Sequence, residues 1–138
     1  MGEAPFFFAR LEWVHVTLNL YIFGKKKSVI KMNEMQREEV NAIINSILSS
    51  VPALEIYLFG SFVNGMARED SDYDFYIVIP DDSDLREREV TWAIRGAIPR
   101  QTRGIDMLVG TQSKFNRRKN YLYSIENEVI EKGVKLYG

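Results

Sequence analysis

Apolar residues recur along the chain with two different periods, and the switches between them outline a fold. Over residues 33–50, Val40, Ile43, Ile44, Ile47 and Leu48 fall at i, i+3, i+4, i+7 and i+8. That spacing predicts a helix with a single apolar face. Asn33 followed three residues on by Gln36 reads as a reciprocal cap at its start, and Ser49, Ser50 and Pro52 end it. Residues 54–59 predict a short strand, with Leu54, Ile56 and Leu58 on one face. A short helix over 62–66 and a polar loop over 67–71 should follow. A second strand over 73–79 is closed by Pro80, and its apolar residues on both sides suit a strand covered on both faces. Asp81-Asp82-Ser83-Asp84 reads as a turn that becomes the acidic start of a helix running to about Ile98, with Val90, Ala93, Ile94, Ala97 and Ile98 inward. A third strand over 104–109 carries Asp106 between Ile105 and Met107. Ser113 is expected to cap one long last helix through Glu131, burying Leu122, Ile125, Val129 and Ile130. Gly133 should terminate that helix, and 134–137 add a terminal strand. Together these strands and helices predict an α+β domain.

The first 31 residues depart from this pattern. An aromatic and β-branched run from Phe6 to Phe23 ends at Gly24-Lys25-Lys26-Lys27. Arg10, Glu12, His15 and Asn19 interrupt it, which makes it a poor membrane span. Val14, Val16, Leu18, Leu20 and Ile22 alternate, so 11–23 reads as a strand or hairpin arm. Met32 and Met35 stand where the helical pattern begins, so 1–31 also reads as translated sequence upstream of the true start. The favoured expectation is an appendage, not needed for the chemistry, to a domain over 32–138, ahead of a membrane or targeting role. No signal peptide is evident, and a cytoplasmic protein without a membrane segment is expected.

At 138 residues and 46% hydrophobic, the chain is long enough for one domain with a real core. Its formal charge of −1 gives no reason to expect broad nucleic-acid binding. The balance is uneven: 1–31 carry five Lys/Arg and two Glu, whereas 32–138 carry thirteen Lys/Arg and seventeen Asp/Glu. Cysteine is absent and His15 is the lone histidine, so thiol chemistry, disulfides, Cys-type zinc sites and a Ser-His-Asp triad are excluded for these residues. A metal here would be held by carboxylates, which favour a hard ion such as Mg²⁺ or Mn²⁺.

The stretch from Leu58 to Asp74 carries the chemistry. Gly60-Ser61 falls where a strand should turn into a helix. A glycine there admits close backbone approach to a phosphate, and the serine offers a hydroxyl and an N–H beside a helix start. The bland alternative is a Gly-Ser turn with Ser61 as a cap. Eleven residues on, Asp72 and Asp74 stand two apart at the start of a strand, so their side chains share a side. Such a pair repels itself unless a cation lies between, and two ions about 4 Å apart can activate an attacking oxygen and stabilise a leaving pyrophosphate. Asp106 would join them if its strand neighbours the second one. It would then take a proton from an attacking hydroxyl or help to hold a metal. Its bland alternative is an ion pair with Arg103 or Arg100. Lys114, Arg117, Arg118 and Lys119 form a basic cluster that reads as a solvated face, or else as a contact for an acidic partner.

Gly60-Ser61, Gly65, Ser71-Asp72-x-Asp74 and the later Asp106 together resemble the minimal nucleotidyltransferases of the polymerase-β-like superfamily, over roughly 33–138. The closing stretch, Ile125-Glu126 through Gly133-Val134 to Leu136-Tyr137, is also similar to the end of that family. The resemblance implies a cut-down polymerase-β palm, an α/β two-layer arrangement with a small mixed β-sheet backed by helices, with Gly60, Ser61 and Gly65 at the triphosphate and Asp72, Asp74 and Asp106 as catalytic and metal ligands for two Mg²⁺ ions. It implies transfer of AMP from ATP to a hydroxyl acceptor, such as a tyrosine of a HEPN-domain toxin that the protein binds as antitoxin. Two departures stand out: Phe62 and Asn64 occupy positions where members commonly carry a basic or aromatic residue and an arginine. A binding module that neutralises a partner by contact is the competing reading. Transfer to a small molecule is a third, for which no acceptor-binding domain is visible.

Overall fold

The computed structural model describes residues 21–23, 26–28, 30, 32–100 and 103–138. β1 (Tyr21–Phe23) and β2 (Lys26–Ser28) pair antiparallel as a small separate sheet. The remainder of the expected strand over 11–23, and most of the expected appendage, lie outside the described residues. Ile30 is buried in the main core.

α1 (Glu34–Ser50) begins as its sequence dictates. The Asn33 side chain accepts from the Gln36 N–H at 2.8 Å, and the Gln36 side chain accepts from the Asn33 N–H at 3.0 Å. Val40, Ile43, Ile44 and Ile47 are its buried stripe, each contributing about 1.5–3 kcal/mol through burial. β3 (Glu55–Phe59), α2 (Ser61–Asn64) and β4 (Tyr73–Ile79) follow, then α3 (Glu87–Ala97) and β5 (Ile105–Thr111). α4 (Gln112–Arg118), α5 (Ile125–Lys132) and β6 (Val134–Tyr137) close the chain.

The main sheet has the order β5-β4-β3-β6. β3 pairs antiparallel with both β4 and β6, whereas β4 and β5 run parallel. The fold is therefore the expected α+β one, a small mixed sheet backed by helices. Alternation along β4 sends Tyr73, Phe75, Ile77 and Ile79 into the main core with α1 and α3. Tyr76 and Val78 face the other way, toward a smaller cluster with Tyr57, Phe59, Phe115 of α4 and Val129 of α5.

Three expectations are corrected. The acidic run does form a turn, but α3 starts only at Glu87, where the Arg86 N–H donates to Glu89 Oε2 at 2.8 Å, while the Asp81 carboxylate accepts from the Ser113 N–H at 2.9 Å and from the Ser113 hydroxyl. Ala93 and Ala97 are exposed, and Val90 and Ile94 alone form the buried face of α3. The single last helix is two. Thr111, not Ser113, caps α4, and Tyr123 at φ 67° turns the chain before Ser124 caps α5. The Ser124 hydroxyl and the Asn127 amide donate to the carbonyls of Arg118 and Lys119, satisfying the end of α4. With the break, Leu122, Ile125 and Ile130 are exposed and Val129 alone of that predicted set is buried. Gly133 does terminate α5, yet with φ −74° rather than a left-handed turn. A Cβ there would collide with the Val129 carbonyl and crowd that of Leu58 at 3.2 Å.

Candidate functional site

β3 runs directly into the turn that starts the site. Gly60 has φ 78° and ψ −149°, a conformation reserved in practice for glycine. α2 then begins at Ser61 and ends after one turn at Gly65, left-handed at φ 80°. A Cβ on Gly65 would meet nothing within 4 Å, so the constraint there lies in the backbone. The Gly60 carbonyl accepts from Val63 and Asn64, which leaves the N–H groups of Ser61 and Phe62 at the open end of the turn.

Strand pairing brings the acidic residues to this turn. Phe59 stands opposite Asp74 across the β3–β4 ladder, and the Asp74 carboxylate lies over the Cα of Gly60, where any Cβ would overlap it. Across the parallel β4–β5 ladder Asp74 stands opposite Asp106. Tyr73, Phe75, Ile105 and Met107 are buried in the main core. Asp72, Asp74 and Asp106, which alternate with them, therefore share the other face. The Asp72 carboxylate rests over Gly104, the residue before β5.

None of the three carboxylates has a hydrogen bond or ion pair to a described residue. The suggested partners of Asp106 are accounted for otherwise: Arg103 faces the opposite side near Glu39, and Arg100 enters no ion pair among the described residues. Burial, followed by the charges of Asp106, Asp72 and Glu128, pushes the Asp74 carboxyl up to about 6. Among the described residues no three acidic side chains yet converge tightly enough to cage an ion. The donor set fits a hard divalent cation nonetheless, since it is all oxygen, of one charge sign and without a compensating base among the described residues.

Glu128 of α5 adds its charge to the field at Asp74, which the sequence pattern did not signal. It stands next to Val129, the residue that seats α5 on the sheet. α5 is itself fixed by a buried network: Tyr76 donates its hydroxyl to Glu126 Oε1 at 2.9 Å, and Arg118 Nε donates to Glu126 Oε2 at 3.0 Å. Burial raises the Glu126 carboxyl, but its own backbone N–H, Arg118 and Tyr76 outweigh that and hold it below the usual range. Arg118 and Lys114, the latter 3.0 Å from Glu87, are thus structural members of the basic cluster. Of the departing residues, Phe62 is buried against Tyr73, with ring centres 4.8 Å apart, and the Asn64 side chain accepts from the Met66 N–H at 3.0 Å to close the turn. An open cleft of about 770 Å³ adjoins Asp72, lined by Met35, Arg68, Glu69, Asp70, Arg103 and Gly104.

The family model described as nucleotidyltransferase domain matches residues 39–136. The fold is similar to that of a nucleotidyltransferase candidate from Sulfolobus solfataricus, at 20% identity, a TM-score of 0.50, and coverage of 71% of this chain and 76% of that one. A chain in the crystal structure of a toxin–antitoxin with AMP-PNP is 20% identical, with a TM-score of 0.47 over 71% of this chain and 72% of that one. No curated protein matches the sequence.

Proposed function

Because the chain belongs to the nucleotidyltransferase domain family, we propose that it transfers AMP from ATP to a hydroxyl acceptor and releases pyrophosphate. One observation carries this reading: Asp74 stands in register with Asp106 on one sheet face while its carboxylate touches the Gly60 turn. A triphosphate at the turn thereby lies beside the acidic group that must manage its charge.

Ser61 binds phosphate through its N–H and hydroxyl at the start of α2. Asp72, Asp74 and Asp106 are the residues that would hold Mg²⁺ or Mn²⁺, which when bound neutralises the triphosphate and acidifies the attacking hydroxyl. The acceptor oxygen forms a bond to the α-phosphorus. The bond from that phosphorus to the oxygen bridging to the β-phosphate breaks, and its electron pair leaves with pyrophosphate. Asp106, on the outer strand of the described sheet and without a partner there, receives the hydroxyl proton.

The acceptor in this proposal is a tyrosine of a HEPN-domain toxin, which makes the protein an antitoxin. The motif residues Gly60-Ser61, Gly65, Ser71-Asp72-x-Asp74 and Asp106 support it through their resemblance to minimal nucleotidyltransferases. No helix among the described residues is long and apolar enough to cross a membrane, and dependence on ATP fits a cytoplasmic site of action.

The test is transfer of label from α-³²P-ATP to a HEPN-domain partner with Mg²⁺. Wild type should label a tyrosine, and the double variant Asp72→Asn/Asp74→Asn should not. Neutralisation that persists in the double variant would assign the protective effect to contact alone. A wild type that labels nothing and binds no nucleotide removes the enzyme reading.

A further inference from the structure

Arg103 sits where the two halves of the site meet, and it belongs to neither motif. Its guanidinium carbon lies 5.4 Å from the ring centre of Phe62 and 5.5 Å from that of Tyr73. Phe62 follows Ser61 at the phosphate turn; Tyr73 stands between Asp72 and Asp74. Nη1 donates to the Ser71 carbonyl at 3.1 Å, one residue before Asp72, and Nε lies 3.9 Å from Glu39 Oε2 of α1. Directly after Arg103, the Gly104 carbonyl accepts from the Tyr73 N–H at 3.0 Å.

This is an expensive place for a cation. The side chain is 12% exposed, and its buried Nε has no hydrogen-bond partner among the described residues. Apolar side chains would fill such a position at lower desolvation cost. What a guanidinium adds is a flat face that stacks on rings while its edge donates in the same plane, which an ammonium does not reproduce.

We propose that Arg103 is a positioning residue for nucleotidyl transfer. It locks Phe62, and with it the Gly60-Ser61 turn, against Ser71–Tyr73, and so sets the separation between the phosphate-binding N–H groups and the carboxylates of Asp72 and Asp74. The proposal rests on the reading of the site given above.

Arg103→Lys keeps the charge and the stem but loses the flat face; Arg103→Ala loses all three. Both are compared with wild type at a temperature where circular dichroism shows them folded. The measurements are Mn²⁺ binding in the presence of a non-hydrolysable ATP analogue and pyrophosphate release from ATP with water as acceptor. Misalignment of about an ångström should lower kcat at least about ten-fold in Arg103→Lys, with KM for ATP within about three-fold. Mn²⁺ half-saturation should move up at least about five-fold, because Asp72 and Asp74 are no longer held against the turn. A residue with a purely structural role would lower the unfolding temperature and leave kcat, KM and Mn²⁺ binding of the folded protein unchanged, which overturns the proposal. Should Arg103→Ala not fold, Arg103→Lys decides. A wild type that binds no Mn²⁺ with the analogue and releases no pyrophosphate fails the site reading itself, and the proposal falls with it. An active wild type with an unaltered Arg103→Lys removes the proposal alone.

Discussion

Asp74→Asn isolates the electrostatics of the site from its chemistry. The substitution removes one negative charge from the face shared by β4 and β5 and keeps the side chain's shape over Gly60. Burial, then Asp106, Asp72 and Glu128, raise the folded-state carboxyl from 3.8 to about 6. A carboxyl raised on folding holds its proton more tightly in the folded state. Its favourable contribution is complete below about pH 4 and is lost as pH rises through about 6. At about 1.4 kcal/mol per pH unit the interval sets a ceiling of about 3 kcal/mol on the cost of ionised Asp74. Asp74 is partly open to water, which screens its neighbours, so the expected cost is about 1–2 kcal/mol. In EDTA at neutral pH, Asp74→Asn should therefore be more stable than wild type by that amount in urea unfolding, and the difference should close toward about pH 4. Mg²⁺ should invert the order. An ion present at a hundred times its dissociation constant stabilises the protein that binds it by about 2.7 kcal/mol, and the variant should gain less. Urea curves at two pH values, with and without Mg²⁺, measure all four quantities. A variant no more stable than wild type in EDTA, or one that gains as much from Mg²⁺, refutes the reasoning.

Gly60→Ala should cost about 2 kcal/mol or more, because it adds left-handed strain to a collision with the Asp74 carboxylate. Thermal unfolding reads that cost, and an ATP titration should show the loss of nucleotide binding. Glu126→Ala leaves the buried Tyr76 hydroxyl without its acceptor and Arg118 without its carboxylate, and should lower stability by about 2–4 kcal/mol. Adding Tyr76→Phe should recover part of that loss in a denaturant series. Tyr123→Gly should raise stability by about 0.5 kcal/mol, since the side chain is fully exposed and φ is 67°. An unchanged or lower unfolding midpoint would show that Tyr123 carries no strain.

Local chemistry made much of this fold legible. Asn33 and Gln36 announced α1, Pro80 closed β4, and the spacing of Gly60-Ser61 to Asp72 and Asp74 located the turn and the strand that it faces. Contacts distant in sequence were not legible. The start of α3 lies beyond the acidic run, and Asp81 serves Ser113, more than thirty residues away. Unbroken helical periodicity concealed the break at Tyr123, and Leu122, Ile125 and Ile130 look like a buried stripe although they face solvent. Glu128 and Arg103 carry no pattern of their own, and only the assembled sheet shows which carboxylates and which rings they approach. Asp106 lies between the two cases. Alternation fixed its face relative to Ile105 and Met107, but its neighbour across the ladder depended on β5 lying beside β4 in parallel.

That parallel ladder determines which changes in length the protein can absorb. The connection between Ile79 and Arg103 can grow or shrink without disturbing the acidic face, provided that Arg103 and Gly104 keep their places and Ile105 still lands opposite Tyr73. One extra residue between Ile105 and Asp106 would instead rotate that carboxylate inward opposite Phe75 and turn Met107 out onto the acidic face. Parity within seven consecutive residues, rather than the length of the helix that precedes them, is what keeps the acidic face whole.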